Sequence, residues 1–94
     1  MDYSAFKTSL TGNEPPAGTS VYIAALWYEA KGNWDKAHEL IQDINDKNAS
    51  WIHAYLHRKE GDISNAGYWY NRADRQKPTL SLNEEWEYIT NALL

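Results

Sequence analysis

Two histidines four residues apart are the side chains of this sequence best placed to do chemistry. His53 and His57 are followed by Glu60 in a segment whose pattern predicts a helix. Residues at i and i+4 lie on one face of a helix, which is an arrangement that zinc sites use. A third ligand would have to be His38, Glu60 or Asp62, and nothing in the sequence predicts that His38 lies close.

A structural role for the two histidines is the preferred interpretation. Helical zinc proteases place Glu directly after the first His, where this chain has Ala54. We expect His53 and His57 to face a partner helix and to hydrogen-bond a Tyr hydroxyl or a backbone carbonyl. A metal site at His53 and His57 is the alternative, and a hydrolase built on them is a minor third interpretation.

No other set of residues indicates catalysis. The chain has no cysteine, which excludes disulfides and thiolate chemistry. Glu84, Glu85 and Glu87 are predicted to form a solvated face near a helix N-terminus, where negative charge is favourable. Phosphate loops, Ser-His-Asp arrangements and nucleotide fingerprints are not found. We therefore expect no catalytic residue, no cofactor and no enzyme activity.

Charge and hydropathy restrict the partners. The net charge of −4 is spread along the chain, so the basic surface that nucleic-acid binding requires is missing. No apolar run approaches the roughly 18 residues of a membrane span. The first residues do not resemble a secretion signal. A cytoplasmic protein without nucleic-acid or membrane partners is predicted.

An internal repeat with an offset of 29 residues predicts the fold. The segment Gly32–Ala37 returns as Gly61–Ala66, and Ile23 and Ala25 return as Ile52 and Ala54. A period of this length is typical of stacked supersecondary units, and 94 residues suffice for one domain. No segment alternates like a strand, so we predict one all-α domain over residues 1–94.

Each repeat is predicted to be a helical hairpin. In residues 20–44, Thr19 or Ser20 caps a helix that Gly32 ends, and Asn33 caps a second helix to about Ile44. In residues 50–75, Asn48 or Ser50 caps the first helix, Gly61 ends it, and Asp62 caps a helix to about Arg75. Residues 45–48 form a polar break between the hairpins.

The hairpins are flanked by shorter segments. Residues 1–19 are predicted to be an N-terminal extension and linker, anchored on the repeats by Phe6 and Leu10. Ser81 and Glu84 form a capping box at the start of a C-terminal helix over residues 81–93. This last helix is expected to cap the repeats.

The second unit resembles a tetratricopeptide (TPR) repeat. It has Gly61, Ala66, Tyr70, Ala73 and Pro78 at the family spacing. The first unit has Gly32, Ala37, Ile41 and Ile44, with Ala49 where the family has Pro. The offset of 29 is shorter than the family's period of about 34 residues, so the second helix or exit loop of the first unit is predicted to be short. The segments Ala25–Ile44 and Trp51–Ala73 also resemble a small bacterial family of unknown function, which implies no activity.

The TPR resemblance implies an interaction or scaffold module that binds a protein or peptide. By that resemblance the groove-facing positions hold Tyr22, Leu26, Glu29, Trp51, Tyr55 and Arg58. These differ from the Lys and Asn of the family's carboxylate clamp, which argues against recognition of chaperone tails. The alternative function is binding of a small molecule or metal by the His53/His57 face and neighbouring aromatics.

Self-association is also predicted. Two hairpins are fewer than the three or so repeats that usually make a stable array, so apolar ends should need cover. The chain has five Trp, seven Tyr and one Phe, which a body of this size cannot readily bury. A homodimer through Tyr68, Trp69 or Trp86 would cover such a surface.

Overall fold

A computed structural model describes all 94 residues and contains six helices and no strand. The helices are α1 (Tyr3–Ser9), α2 (Val21–Ala30), α3 (Trp34–Ile41), α4 (Lys47–Lys59), α5 (Ile63–Arg72) and α6 (Leu82–Leu93). The all-α prediction is confirmed. None of the six helices combines the length and apolar character that crossing a membrane would require.

The helices pair as the repeat predicts, α2 with α3 and α4 with α5. The two interhelical turns share their hydrogen bonds. Asn33 N–H donates to the Tyr28 carbonyl, and Asp62 N–H donates to the His57 carbonyl 29 positions later, both at 2.9 Å. Gly32 and Gly61 adopt positive φ angles of 85° and 90°, a backbone conformation that residues with a Cβ atom rarely adopt. The glycine-closed hairpin is thus the unit that repeats.

Three predicted helix boundaries were wrong. Helix α3 ends at Ile41, three residues early, which makes it the short helix of the first unit. Helix α4 begins at Lys47 because the Asp46 side chain accepts from Ala49 N–H and caps it, so part of the predicted polar break is helical. Helix α5 ends at Arg72 because Asp74 takes a positive φ of 59°, the conformation that glycine supplies in the other two turns.

Helix α4 lies at the centre of the molecule. Its residues Ala49 to His57 are all buried, so neighbours surround it on every side. Helix α6 packs against both α2 and α4. The Ser81–Glu84 capping box at its start is present as predicted. Phe6 of α1 is fully buried and stacks on Trp86 of α6, so the N-terminal extension is anchored as expected.

Candidate functional site

All three histidines of the chain meet between α3 and α4. His38 Nε2 lies 3.0 Å from His53 Nε2, and one ring nitrogen from each of His38, His53 and His57 lies within 4.8 Å of the others. His53 and His57 are buried, and His38 is half-buried. The approach of His38, which nothing in the sequence predicted, arises because α3 packs against α4 as well as against its hairpin partner α2.

Tryptophan rings fix two of these imidazoles. Trp34 stacks on His38 with ring centroids 4.8 Å apart, and its Nε1 donates to the Leu56 carbonyl at 2.8 Å. Trp69 stacks on His53 with centroids 3.8 Å apart. A stacked ring cannot rotate freely, so the planes of His38 and His53 are set by their neighbours.

His57 is oriented by polar groups. Its Nδ1 lies 2.6 Å from a carboxylate oxygen of Glu60, and the Asn65 side-chain amide lies 3.3 Å from its Nε2. An Nδ1 that donates to Glu60 leaves the Nε2 lone pair to accept from the Asn65 amide. The predicted Tyr hydroxyl and backbone carbonyl partners were wrong, since the observed partners are side chains of Glu60, Asn65 and the other histidines.

The surroundings disfavour positive charge on two of the three histidines, His38 and His53. Burial, followed by the neighbouring His38 and His57, lowers the pKa of His53 from 6.5 to about 4. Burial also lowers the pKa of His38, with His57 as the next cause. Neutral imidazoles offer lone pairs, which is the form that binds transition metals.

Most residues of the predicted groove are buried, and helix α6 contacts Leu26, Trp51 and Arg58. Leu26, Glu29, Trp51 and Tyr55 are buried, while Tyr22 and Arg58 are half-buried. The Trp86 indole of α6 donates to the Leu26 carbonyl at 3.0 Å. At Leu26, Trp51 and Arg58 the chain's own C-terminal helix therefore covers part of this surface.

The polar groove residues are paired inside the chain. The Glu29 carboxylate accepts from Lys59, with the Tyr55 hydroxyl 3.5 Å away. Arg58 donates to Glu85 at 2.8 Å. Glu29 and Arg58 occupy equivalent positions of the two repeats, and each forms an ion pair there. Both charges are therefore paired with a residue of another helix.

An open cleft remains beside the covered groove, between α4, the α5–α6 connection and α6. This α4–α6 cleft has a volume of about 280 Å³ and is lined by Trp51, Asp74, Arg75, Gln76, Pro78, Leu80, Glu85 and Tyr88. Sequence reasoning placed only Trp51 near a binding surface. Arg75 and Tyr88 were missed because their approach depends on how the connection folds back before α6.

No protein-family model matches the chain, and comparison with curated proteins and with solved structures gives no match. The interpretation of both the histidine cluster and the cleft therefore depends on their geometry.

Proposed function

We propose that this chain is a non-enzymatic, TPR-like interaction module that binds a peptide segment of a protein partner in the α4–α6 cleft. The observation that carries the proposal is the combination of residues at the cleft. Tyr88 is 56% exposed, its ring lies 5.8 Å from that of Trp51, and the Arg75 guanidinium lies 3.3 Å from the centre of the Trp51 ring. Trp, Tyr and Arg are the residues that most often dominate protein interfaces.

Arg75 indicates the chemistry of the partner. It is exposed and forms no ion pair within the chain, since the chain's ion pairs involve Lys47, His57, Arg58 and Lys59. Stacking on Trp51 holds the guanidinium in place while leaving its edge free to donate. A peptide carboxylate can be bound there in a bidentate way, with an apolar side chain against Tyr88 and Pro78.

The proposal is tested by selecting random peptides displayed on phage against the purified protein. We expect enriched peptides that combine an acidic residue with an apolar one, and binding at least about tenfold weaker in Arg75→Gln and in Tyr88→Ala. Tyr68→Ala is the matched control, because Tyr68 is 54% exposed and lies on α5, outside the cleft. Peptides whose binding depends on Tyr68 but not on Arg75 would contradict the proposal.

A further inference from the structure

We propose that His38, His53 and His57 bind one divalent transition-metal ion, with Zn²⁺ the expected ion. The site is separate from the α4–α6 cleft, so it stands or falls independently of the peptide-binding proposal. It requires the one side chain, His38, whose position could not be inferred from the sequence. It supplies three nitrogen ligands, which is the number that zinc sites with an open fourth position use.

The distances are close to those of a bound ion. Zn–N bonds of about 2.0–2.1 Å in tetrahedral geometry place ligand nitrogens about 3.3 Å apart. The Nε2 atoms of His38 and His53 are 3.0 Å apart, and no pair of ligand nitrogens in the cluster exceeds 4.8 Å. Closing the widest pair requires a shift of at most about 1.5 Å, which rotation of His57, the histidine not stacked on a tryptophan, can supply without movement of the helices.

Glu60 provides the outer partner that metal-binding histidines usually have. Its carboxylate lies 2.6 Å from His57 Nδ1, so the proton is held on Nδ1 and the lone pair on Nε2 is presented. The Asn65 amide already lies 3.3 Å from that lone pair. Ion binding would replace this weak neutral contact with a coordinate bond. Carboxylate, imidazole and metal would then form the triad seen around protein zinc ions.

The cluster is both preformed and accessible. Trp34 and Trp69 hold the rings of His38 and His53 by stacking, so little side-chain entropy remains to be lost when an ion binds. His38 is half-buried, so this ligand is partly in contact with solvent. Three neutral imidazoles leave the ion its full positive charge, and water can complete the tetrahedron. All-imidazole ligation favours Zn²⁺, Cu²⁺ or Ni²⁺ over Mg²⁺ or Ca²⁺.

If the three imidazoles only pack against each other and against the tryptophans, the protein should bind no ion. The test uses untagged protein, because a polyhistidine tag would bind metal itself. After dialysis against EDTA and removal of the chelator, Zn²⁺ is titrated in competition with a chromophoric chelator, and Co²⁺ is titrated by visible absorption. We expect one equivalent of Zn²⁺ bound with a dissociation constant below about 1 µM, and an absorption band typical of tetrahedral Co²⁺.

Substitutions locate the ion. His38→Ala and His57→Ala should abolish stoichiometric binding, and Glu60→Gln should weaken it by about 10- to 100-fold. Glu39→Gln is the matched control, since Glu39 is an exposed carboxylate beside His38 that faces solvent. Circular dichroism checks that each variant folds. If a histidine variant does not fold, ¹⁵N chemical shifts of the three imidazoles are followed in the unchanged protein during Zn²⁺ addition. Unshifted imidazoles, binding weaker than about 10 µM, or full-strength binding by folded His38→Ala would each overturn the proposal.

Discussion

Among single residues, Glu85 departs from the predicted solvated face of α6, because it is buried and paired. Its carboxylate is 2% exposed and accepts from Arg58 at 2.8 Å and from the Tyr70 hydroxyl at 2.5 Å, which joins α4, α5 and α6. Such a pair contributes little over an apolar replacement of both partners, but loss of one partner leaves the other charge buried and unpaired.

Glu85→Ala should therefore lower the free energy of unfolding by about 3 kcal/mol, measured by urea denaturation. Glu85→Gln should cost less, because an amide oxygen still accepts from Tyr70. The exposed Glu39→Ala serves as control and should change stability by less than about 0.5 kcal/mol. Equal effects of Glu85→Ala and Glu39→Ala would show that the Arg58 pair is not structural.

His53 makes stability depend on pH in the metal-free protein. Its folded pKa of about 4 lies below its ordinary value of 6.5, so the unfolded chain binds more protons between these two values. The stabilising contribution is complete above pH 6.5 and is lost as pH falls toward 4. Within that window the loss is up to about 1.4 kcal/mol for each pH unit.

This pH dependence is measured by urea denaturation in EDTA at several pH values. Between pH 6.5 and 5, where carboxylates titrate little, the free energy of unfolding should fall with pH in the unchanged protein. His53→Gln cannot titrate and should give a flatter profile, with the remaining slope due to His38. Parallel profiles for the two proteins would contradict the assignment.

At the scale of the helices, glycine in a turn and glycine inside a helix should respond to alanine with stability changes of opposite sign. Gly61 has a φ of 90° and nothing within 4 Å of an added Cβ, so Gly61→Ala should cost about 1–2 kcal/mol from backbone strain alone. Gly67 lies inside α5, also with open space around an added Cβ. Gly67→Ala should therefore stabilise the protein by up to about 1 kcal/mol. The free energies of unfolding of both variants are measured by urea denaturation. If both substitutions changed stability in the same direction, the positive φ of Gly61 would not be what the turn requires.

The same turns explain which part of the fold could be predicted. Asn33 and Asp62 cap their helices with local hydrogen bonds, so short-range sequence signals are sufficient for them. The start of α4 at Lys47, after its cap Asp46, was missed because four consecutive polar residues carry no helical period. The end of α5 was missed because Asp74 takes a conformation for which glycine is the usual signal.

The histidine cluster also has one part that the sequence predicts and one part that it does not. That His53 and His57 share a helix face follows from their spacing, but the arrival of His38 depends on how α3 packs against α4 across the intervening loop. A weak signal was present, because Trp34 and His38 are also four residues apart on the neighbouring helix. Two such aromatic pairs on consecutive helices are consistent with a shared face. Which way each face turns cannot be derived from the spacing alone.

At the scale of the whole molecule, self-association stays a prediction, and the structure leaves fewer residues that could form the dimer interface. Trp86 is 6% exposed and packs inside the monomer, so it is not available to a partner. Tyr68 is 54% exposed on α5 and is the remaining large candidate beside the half-buried Trp69. A dimer should dissociate across a dilution series in analytical ultracentrifugation, and Tyr68→Ala should weaken it roughly 30-fold. Tyr88→Ala is the control, and a monomeric mass at every concentration would refute the dimer.

The proposed ion would also connect the two repeats. His38 belongs to the first hairpin, and His53 and His57 belong to the second, so one ion would add a coordinate link to the packing and hydrogen bonds that already join the hairpins. An ion that binds only the folded state stabilises it by mass action, by about 2.7 kcal/mol at a free concentration one hundred times the dissociation constant.

For a domain of this size that stabilisation should raise the melting temperature by roughly 10–20 °C. The measurement is a thermal melt followed by circular dichroism with Zn²⁺, with Mg²⁺ and with EDTA. Zn²⁺ should raise the midpoint, EDTA should reverse the rise, and Mg²⁺ should leave it unchanged, because imidazole is a poor ligand for that ion. His38→Ala removes the only ligand from the first hairpin, so its midpoint should no longer respond to Zn²⁺. An equal rise in the unchanged protein and in His38→Ala would mean that Zn²⁺ acts elsewhere and does not join the hairpins.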